Sequence, residues 1–165
     1  MLSQEGEVHP VTSELDRAFV AKLHALVEDA TANFEAYQYA HALQETESFF
    51  WTHFTDTYLE LAKSRARAFA DGATGEAAEA SGSAVASLRL GLSVLLRLFA
   101  PVLPYITEEI FSWAFAGEFA ERGHGSSIHV APWPGEDDFG GTPAPANADS
   151  FDVAVAALAA INKAK

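Results

Sequence analysis

Apolar residues recur at helical spacing along most of this chain. Leu15, Phe19, Leu23, Leu26 and Ala30 follow at intervals of four, four, three and four, forming one stripe of an amphipathic helix. Asp16, Arg17, Lys22, Glu28 and Asp29 fall on its other faces. The helix is expected to begin at Thr12 or Ser13 after Pro10, with Ser13 and Asp16 forming a variant of the capping box. A short turn is expected within residues 32–39, its aromatic residues packed beneath it. A second helix is predicted from about Tyr39 to about Phe69, with Leu43, Phe50, Phe54, Tyr58 and Leu61 on its core side. The rings of Phe49, Phe50, Trp51 and Phe54 surround too much of this helix for a solvated rod, so neighbouring helices must enclose it. Its length allows for a bend.

Residues 70–82 hold three glycines and no large side chain, which predicts an exposed, mobile loop. A third helix is expected to start near Ser83. Its stripe is Val85, Leu88, Leu92, Leu95 and Phe99, and Leu90, Leu96 and Leu98 widen it into a central element. Pro101 and Pro104 end it, because proline lacks an amide hydrogen and clashes with the preceding turn. Thr107 is the expected N-cap of a fourth helix, with Glu108 and Glu109 near its positive end and Ile110, Phe111, Ala114 and Phe115 on its buried face. Gly117 to Gly125 reads as a connector, Ser127 to Val130 as a short extended segment, and Gly135 to Asp149 as a linker or contact-ordered loop. A last helix is predicted from Phe151 to Lys163. Its run to Lys165 without a C-cap suggests a boundary inside a longer protein.

Half the residues are apolar and a fifth are charged, a globular composition on a length sufficient for a real core. The absence of cysteine excludes disulfides, zinc–thiolate sites and thiol catalysis, and fits a reducing compartment. Residues 1–7 lack the basic and apolar regions of a secretory signal. The longest apolar run, Leu90 to Ile106, is interrupted by Arg97, Pro101 and Pro104, so no membrane partner is expected. A net charge of −13 argues against a dedicated nucleic-acid-binding domain, DNA-binding included, but leaves local contacts open, because exposed charges are screened beyond about 8–10 Å. Many acids, including Glu5, Glu7, Glu76, Glu79, Glu136, Asp137 and Asp138, lie in sequence away from the one dense basic run, Lys63-Ser64-Arg65-Ala66-Arg67.

Dinucleotide and nucleotide phosphate loops, a nucleophile elbow, and the paired motifs of zinc and di-iron sites are all missing. None of the six histidines lies four residues from another, and no metal site is expected. Glu108 and Glu109 suit a helix start better than an acid–base pair. Trp51 and Trp133 could stack on bases, though packing is the usual role of tryptophan in an apolar run. Lys63, Arg65 and Arg67 have two readings: a solvated helix end, or cations converging on phosphate. Composition does not choose between them.

Three blocks then carry a family resemblance. They are Phe50-Trp51 through Tyr58-Leu59-Glu60-Leu61-Ala62-Lys63, Leu95 through Pro101-Val102-Leu103-Pro104-Tyr105-Ile106-Thr107-Glu108-Glu109-Ile110-Phe111, and Ser127-Ile128-His129-Val130-Ala131-Pro132-Trp133-Pro134. Together they resemble the anticodon-binding helical domain of class I aminoacyl-tRNA synthetases. The first and third favour the valine branch over the isoleucine and leucine branches. Thr55, Thr57 and Phe111 depart from the residues usual there, as packing changes. The resemblance implies an all-α, antiparallel helical bundle over residues 1–118, followed by a small irregular and extended appendage over 119–165. It implies tRNA, most specifically valine tRNA, as partner, a cytoplasmic location, and an upstream catalytic domain in the same polypeptide. The family's ATP-site signatures are missing from this segment, so ATP and magnesium are expected to serve the full-length ligase and no catalytic residue is expected here. Lys63, Arg65 and Arg67 are assigned to tRNA phosphates, and Asn33 and Phe34 to unstacked anticodon bases, from chemistry and the family's general architecture rather than from matched binding residues. The competing class is an acidic helical protein-interaction module with a large exposed apolar patch. A helical enzyme of unrelated chemistry is disfavoured by the missing motifs.

Overall fold

A computed structural model describes residues 9–164; the expectation for residues 1–7, with Glu5 and Glu7, lies outside them. The helices are α1 (Glu14–Glu35), α2 (Tyr39–Ser48), a π-helical segment (Phe49–Tyr58), α3 (Leu59–Ala70), α4 (Glu76–Phe99), α5 (Pro104–Ala114), α6 (Ala116–Glu121), a 3-10 turn (Ile128–Val130), α7 (Glu136–Phe139) and α8 (Ser150–Ala164). No strand occurs among the described residues. The architecture is an all-α bundle. α1, the continuous rod from α2 to α3, and α4 run antiparallel in succession.

The aromatic run explains the π segment. Phe49, Phe54 and Tyr58 are all buried, at spacings of five and then four. A regular α-helix would spread these rings around its circumference; wider turns bring them to one side. The hydroxyl of Thr57 donates to the carbonyl of Thr52, five residues back, at 2.8 Å. Phe19 of α1 receives the rings, stacking parallel on Tyr58 with centroids 3.8 Å apart. Gly91 of α4 closes the third side: a Cβ there would lie 2.9 Å from a Phe54 ring carbon. A second cluster, of Leu96, Ala100, Phe111, Phe115, Phe119 and Ile128, joins α4, α5, α6 and the 3-10 turn.

Several local expectations change. Residues 76–82 are helical, and Ser81, Gly82 and Ser83 are buried. Their small size is a packing requirement: a Cβ on Gly82 would sit 2.7 Å from the His9 ring, and Ser81 donates to the Arg65 carbonyl. Only residues 71–75 form the turn, where Gly72 and Gly75 take positive φ. α5 begins at Pro104, a residue suited to the first helical position, and Thr107 is an interior residue whose hydroxyl donates to the Leu103 carbonyl at 2.7 Å. Residues 128–130 form a 3-10 turn instead of an extended segment, since Glu108 accepts from both the Ser127 hydroxyl and the Ile128 amide at 2.9 Å. The expected connector after Gly117 contains α6.

Residues 119–164 pack onto the bundle through Phe119, Phe139 and Phe151. Glu14 of α1 accepts from the amides of Ala146 and Asn147, each at 2.9 Å, and from the Ser150 hydroxyl, which seats the start of α8. Lys22 pairs with Asp152 at 2.8 Å. α4 has the length and composition of a membrane span, yet 61% of its most apolar window is buried inside the protein, as befits a central core helix.

Candidate nucleic-acid interface

Asp16 is fully buried, contrary to its expected place on an outer helix face. It is an anchor and not a capping residue: Ser13 makes no side-chain cap bond, and the amides of Thr12 and Ser13 donate to Ser83 Oγ instead. Four donors converge on its carboxylate. Tyr58 Oη donates at 2.7 Å, Ser83 Oγ at 2.7 Å, and the Arg65 guanidinium donates twice, at 2.6 and 2.8 Å. This bidentate pair raises the Arg65 pKa further, while burial first and the carboxylate second push the Tyr58 phenol up. The guanidinium that the basic run offered to phosphate is therefore turned inward, where it joins α3 to α1. Arg65 is a structural cation.

Lys63 and Arg67 lie two residues to either side of Arg65 and are exposed. Lys63 Nζ pairs with Glu60 one turn away. These two residues form the accessible part of the cationic end of α3. Asn33 and Phe34 do not join them. They occupy the other end of α1, about 25 Å along its axis from Asp16. Asn33 Nδ2 donates to Glu45 Oε2 at 2.9 Å, and half-buried Phe34 packs against Tyr39 and Trp133 with centroids 5.4 and 5.0 Å apart. The five assigned residues thus divide into a cationic end with one member withdrawn, and an aromatic corner.

The expected turn falls at this corner, with its tyrosines placed otherwise than expected. Tyr37 and Tyr39 lie above it in solvent, not beneath it. The Gln38 amide bonds the Asn33 carbonyl and the Tyr37 amide bonds the Phe34 carbonyl, at 2.8 and 3.1 Å, the pattern of a Schellman cap. The left-handed residue of such a cap is usually glycine; here it is Tyr37, with φ of 60°. Neither tyrosine was legible as a surface residue, because the aromatic run looked like core.

Beside this corner, Arg97 is buried and pairs with Asp138 at 2.6 and 3.1 Å while lying over the Phe119 ring. It forms one wall of a cleft with Pro101, Ile128, His129, Pro132 and Trp133. The outer face of α5 and its preceding turn expose Leu103, Tyr105, Ile106 and Trp113. His24, Glu28 and Glu136 bring ligand atoms within 4.8 Å of one another, but as a largely exposed acidic group that requires no ion.

The fold and its surface define a class: an acidic all-α bundle with a cationic helix end and exposed aromatic rings. A family model described as the anticodon-binding domain of tRNA ligase matches residues 16–165, and the chain belongs to that family. It is 47% identical over 124 residues to the valine–tRNA ligase of Leifsonia xyli and 46% identical over 129 residues to that of Thermobifida fusca, covering 75% and 78% of this chain. The valine–tRNA ligase of Cutibacterium acnes is 39% identical over 162 residues, 97% of this chain. These matches span only 12–16% of the relatives' own lengths.

Proposed function

We propose that this chain recognises the anticodon arm of a tRNA as the helical domain of a valine–tRNA ligase. The family match across the bundle is the observation that carries this reading. Bond formation belongs to a catalytic region elsewhere in such an enzyme, where ATP and magnesium would serve; a cytoplasmic location belongs to the same proposal. Valine tRNA is the proposed partner because the relatives at 39–47% identity are valine–tRNA ligases. Lys63 and Arg67 are the proposed phosphate contacts, and the aromatic corner with Asn33 the proposed base contact. Arg65 is left out because its guanidinium is engaged by Asp16.

Fluorescence anisotropy with labelled valine-accepting tRNA tests this. The expected result is binding at low salt that weakens as salt rises, and weaker binding after substitution of the anticodon bases. Charge reversal of Lys63 and Arg67 together should lower affinity and reduce the log–log salt slope by about 1.5, the share of two phosphate contacts. No binding at low salt would overturn the reading. One observation favours a second role: the exposed apolar stripe on α5 suits a protein surface. Substituting Tyr105 and Trp113 by serine would then reduce self-association or partner binding while sparing tRNA affinity.

A further inference from the structure

We propose that the α1–α2 corner is a stacking site for unpaired RNA bases, with Tyr37 and Tyr39 as its contact rings. This rests on the tRNA reading and assigns its base contact to specific surfaces. Rings from α1, the turn, α2 and the segment after the 3-10 turn meet here. Tyr37 and Tyr39 pack edge to face with centroids 6.1 Å apart, Tyr39 lies against Phe34, and Phe34 lies against Trp133. Tyr37 is 80% exposed and Tyr39 50%. The underlying rings are fixed: Trp133 Nε1 donates to Thr31 Oγ1 at 2.9 Å, and that hydroxyl donates to the Val27 carbonyl at 2.7 Å. Asn33 and His41 both engage Glu45, which ties α2 to the end of α1.

Two features select the ligand. The first is Tyr37 itself. A turn that only reversed the chain would take glycine at its left-handed position, where a side chain crowds the following carbonyl. This turn bears that strain and carries a phenol ring almost entirely in water. The second is charge. Residues 31–47 contain no lysine or arginine and include Glu35, Glu45 and Glu47. Phosphate attraction does not hold RNA here; on the tRNA reading, the group that meets these rings is the uncharged face of a base whose phosphates point away. Aromatic rings accept any base in this manner, because every base has a π face. At the same corner half-buried Asn33 has its Nδ2 engaged by Glu45, so its amide oxygen is the group proposed to meet a base edge.

The decisive variant is Tyr37→Gly. It removes the ring and relieves the left-handed strain, so thermal stability should be equal or higher while tRNA affinity falls on the order of 5- to 100-fold. Tyr37→Phe should bind within about twofold of wild type. Because no cation is lost, the salt slope should stay unchanged, in contrast to the reversal at Lys63 and Arg67. 2-Aminopurine placed in the anticodon loop should be quenched by the wild-type chain and not by Tyr37→Gly; the same probe at the tRNA 3′ end should respond alike to both. If wild type binds and Tyr37→Gly matches it within twofold, the stacking site is wrong while the tRNA reading stands, and the rings are left to a protein partner. If wild type fails to bind tRNA at low salt, the tRNA reading falls and the stacking site with it.

Discussion

Replacing Arg65 by methionine separates a structural cation from an RNA contact. The change removes the guanidinium and retains much of the aliphatic stem. Asp16, with no exposure to solvent, would keep the Tyr58 and Ser83 hydroxyls and lose its only countercharge within hydrogen-bonding distance among the described residues. Breaking a buried ion pair from one side costs about 3–5 kcal/mol, mostly the penalty of the charge left behind. The Arg65 side chain is 25% exposed, and water reaching its outer edge favours the lower part of that range, about 3–4 kcal/mol. For a chain of this size the melting temperature should fall by roughly 6–16 °C. Adding Asp16→Asn removes the stranded charge but keeps an oxygen for only one of the two hydroxyls, which donate to different carboxylate oxygens, so the double variant should recover at most about half of the loss. Circular dichroism at 222 nm during thermal and urea unfolding measures both. Well below its melting point, Arg65→Met should bind tRNA with the wild-type salt slope. A stability loss under about 1 kcal/mol, the value of an exposed pair, would refute the anchoring role. A lowered salt slope with the fold intact would restore Arg65 to the RNA surface.

Two further outcomes follow from the packing. Bonds from the Ala146 and Asn147 amides, foremost among the causes, hold the Glu14 carboxyl below its usual range. Its contribution is therefore present above the normal carboxylate pKa and lost as pH falls through the folded value. Amide protection factors in α8, taken relative to the intrinsic exchange rate at each pH, should fall on acidification from about pH 5 to pH 3, and Glu14→Gln should lower them already at neutral pH; protection factors in α8 independent of both would contradict the seat. Gly91→Ala gains about 1 kcal/mol of helix propensity but drives a methyl group against Phe54 and Phe19, an overpacking cost of about 1–3 kcal/mol. The urea midpoint should fall with an unchanged m-value, and a rise would show that the rings yield freely.

The apolar stripes made the helices legible, because burial repeats with the helical period and Phe19, Leu23, Leu95 and Phe111 obey it. What stayed hidden depends on partners distant in sequence. Asp16 resembled a capping acid because its actual partner, Arg65, arrives 49 residues later. Residues 76–82 resembled a loop because glycine, alanine and serine signal both mobility and close helix contact, and only the nearness of His9 and Arg65 decides between them. The π segment follows from three rings seeking one core, which a fixed helical period cannot represent. At the candidate site, Lys63 and Arg67 were readable as surface cations, while Tyr37 was not: its exposure comes from one left-handed residue in a cap whose sequence carries no glycine.

Hydroxyl-radical footprinting of valine-accepting tRNA bound to the chain tests the central claim most directly. Anticodon recognition predicts protection confined to the anticodon loop and the adjoining stem, lost when Lys63 and Arg67 are reversed together with Tyr37→Gly. Protection centred on the acceptor end or elbow, or no protection at saturating protein, would contradict it.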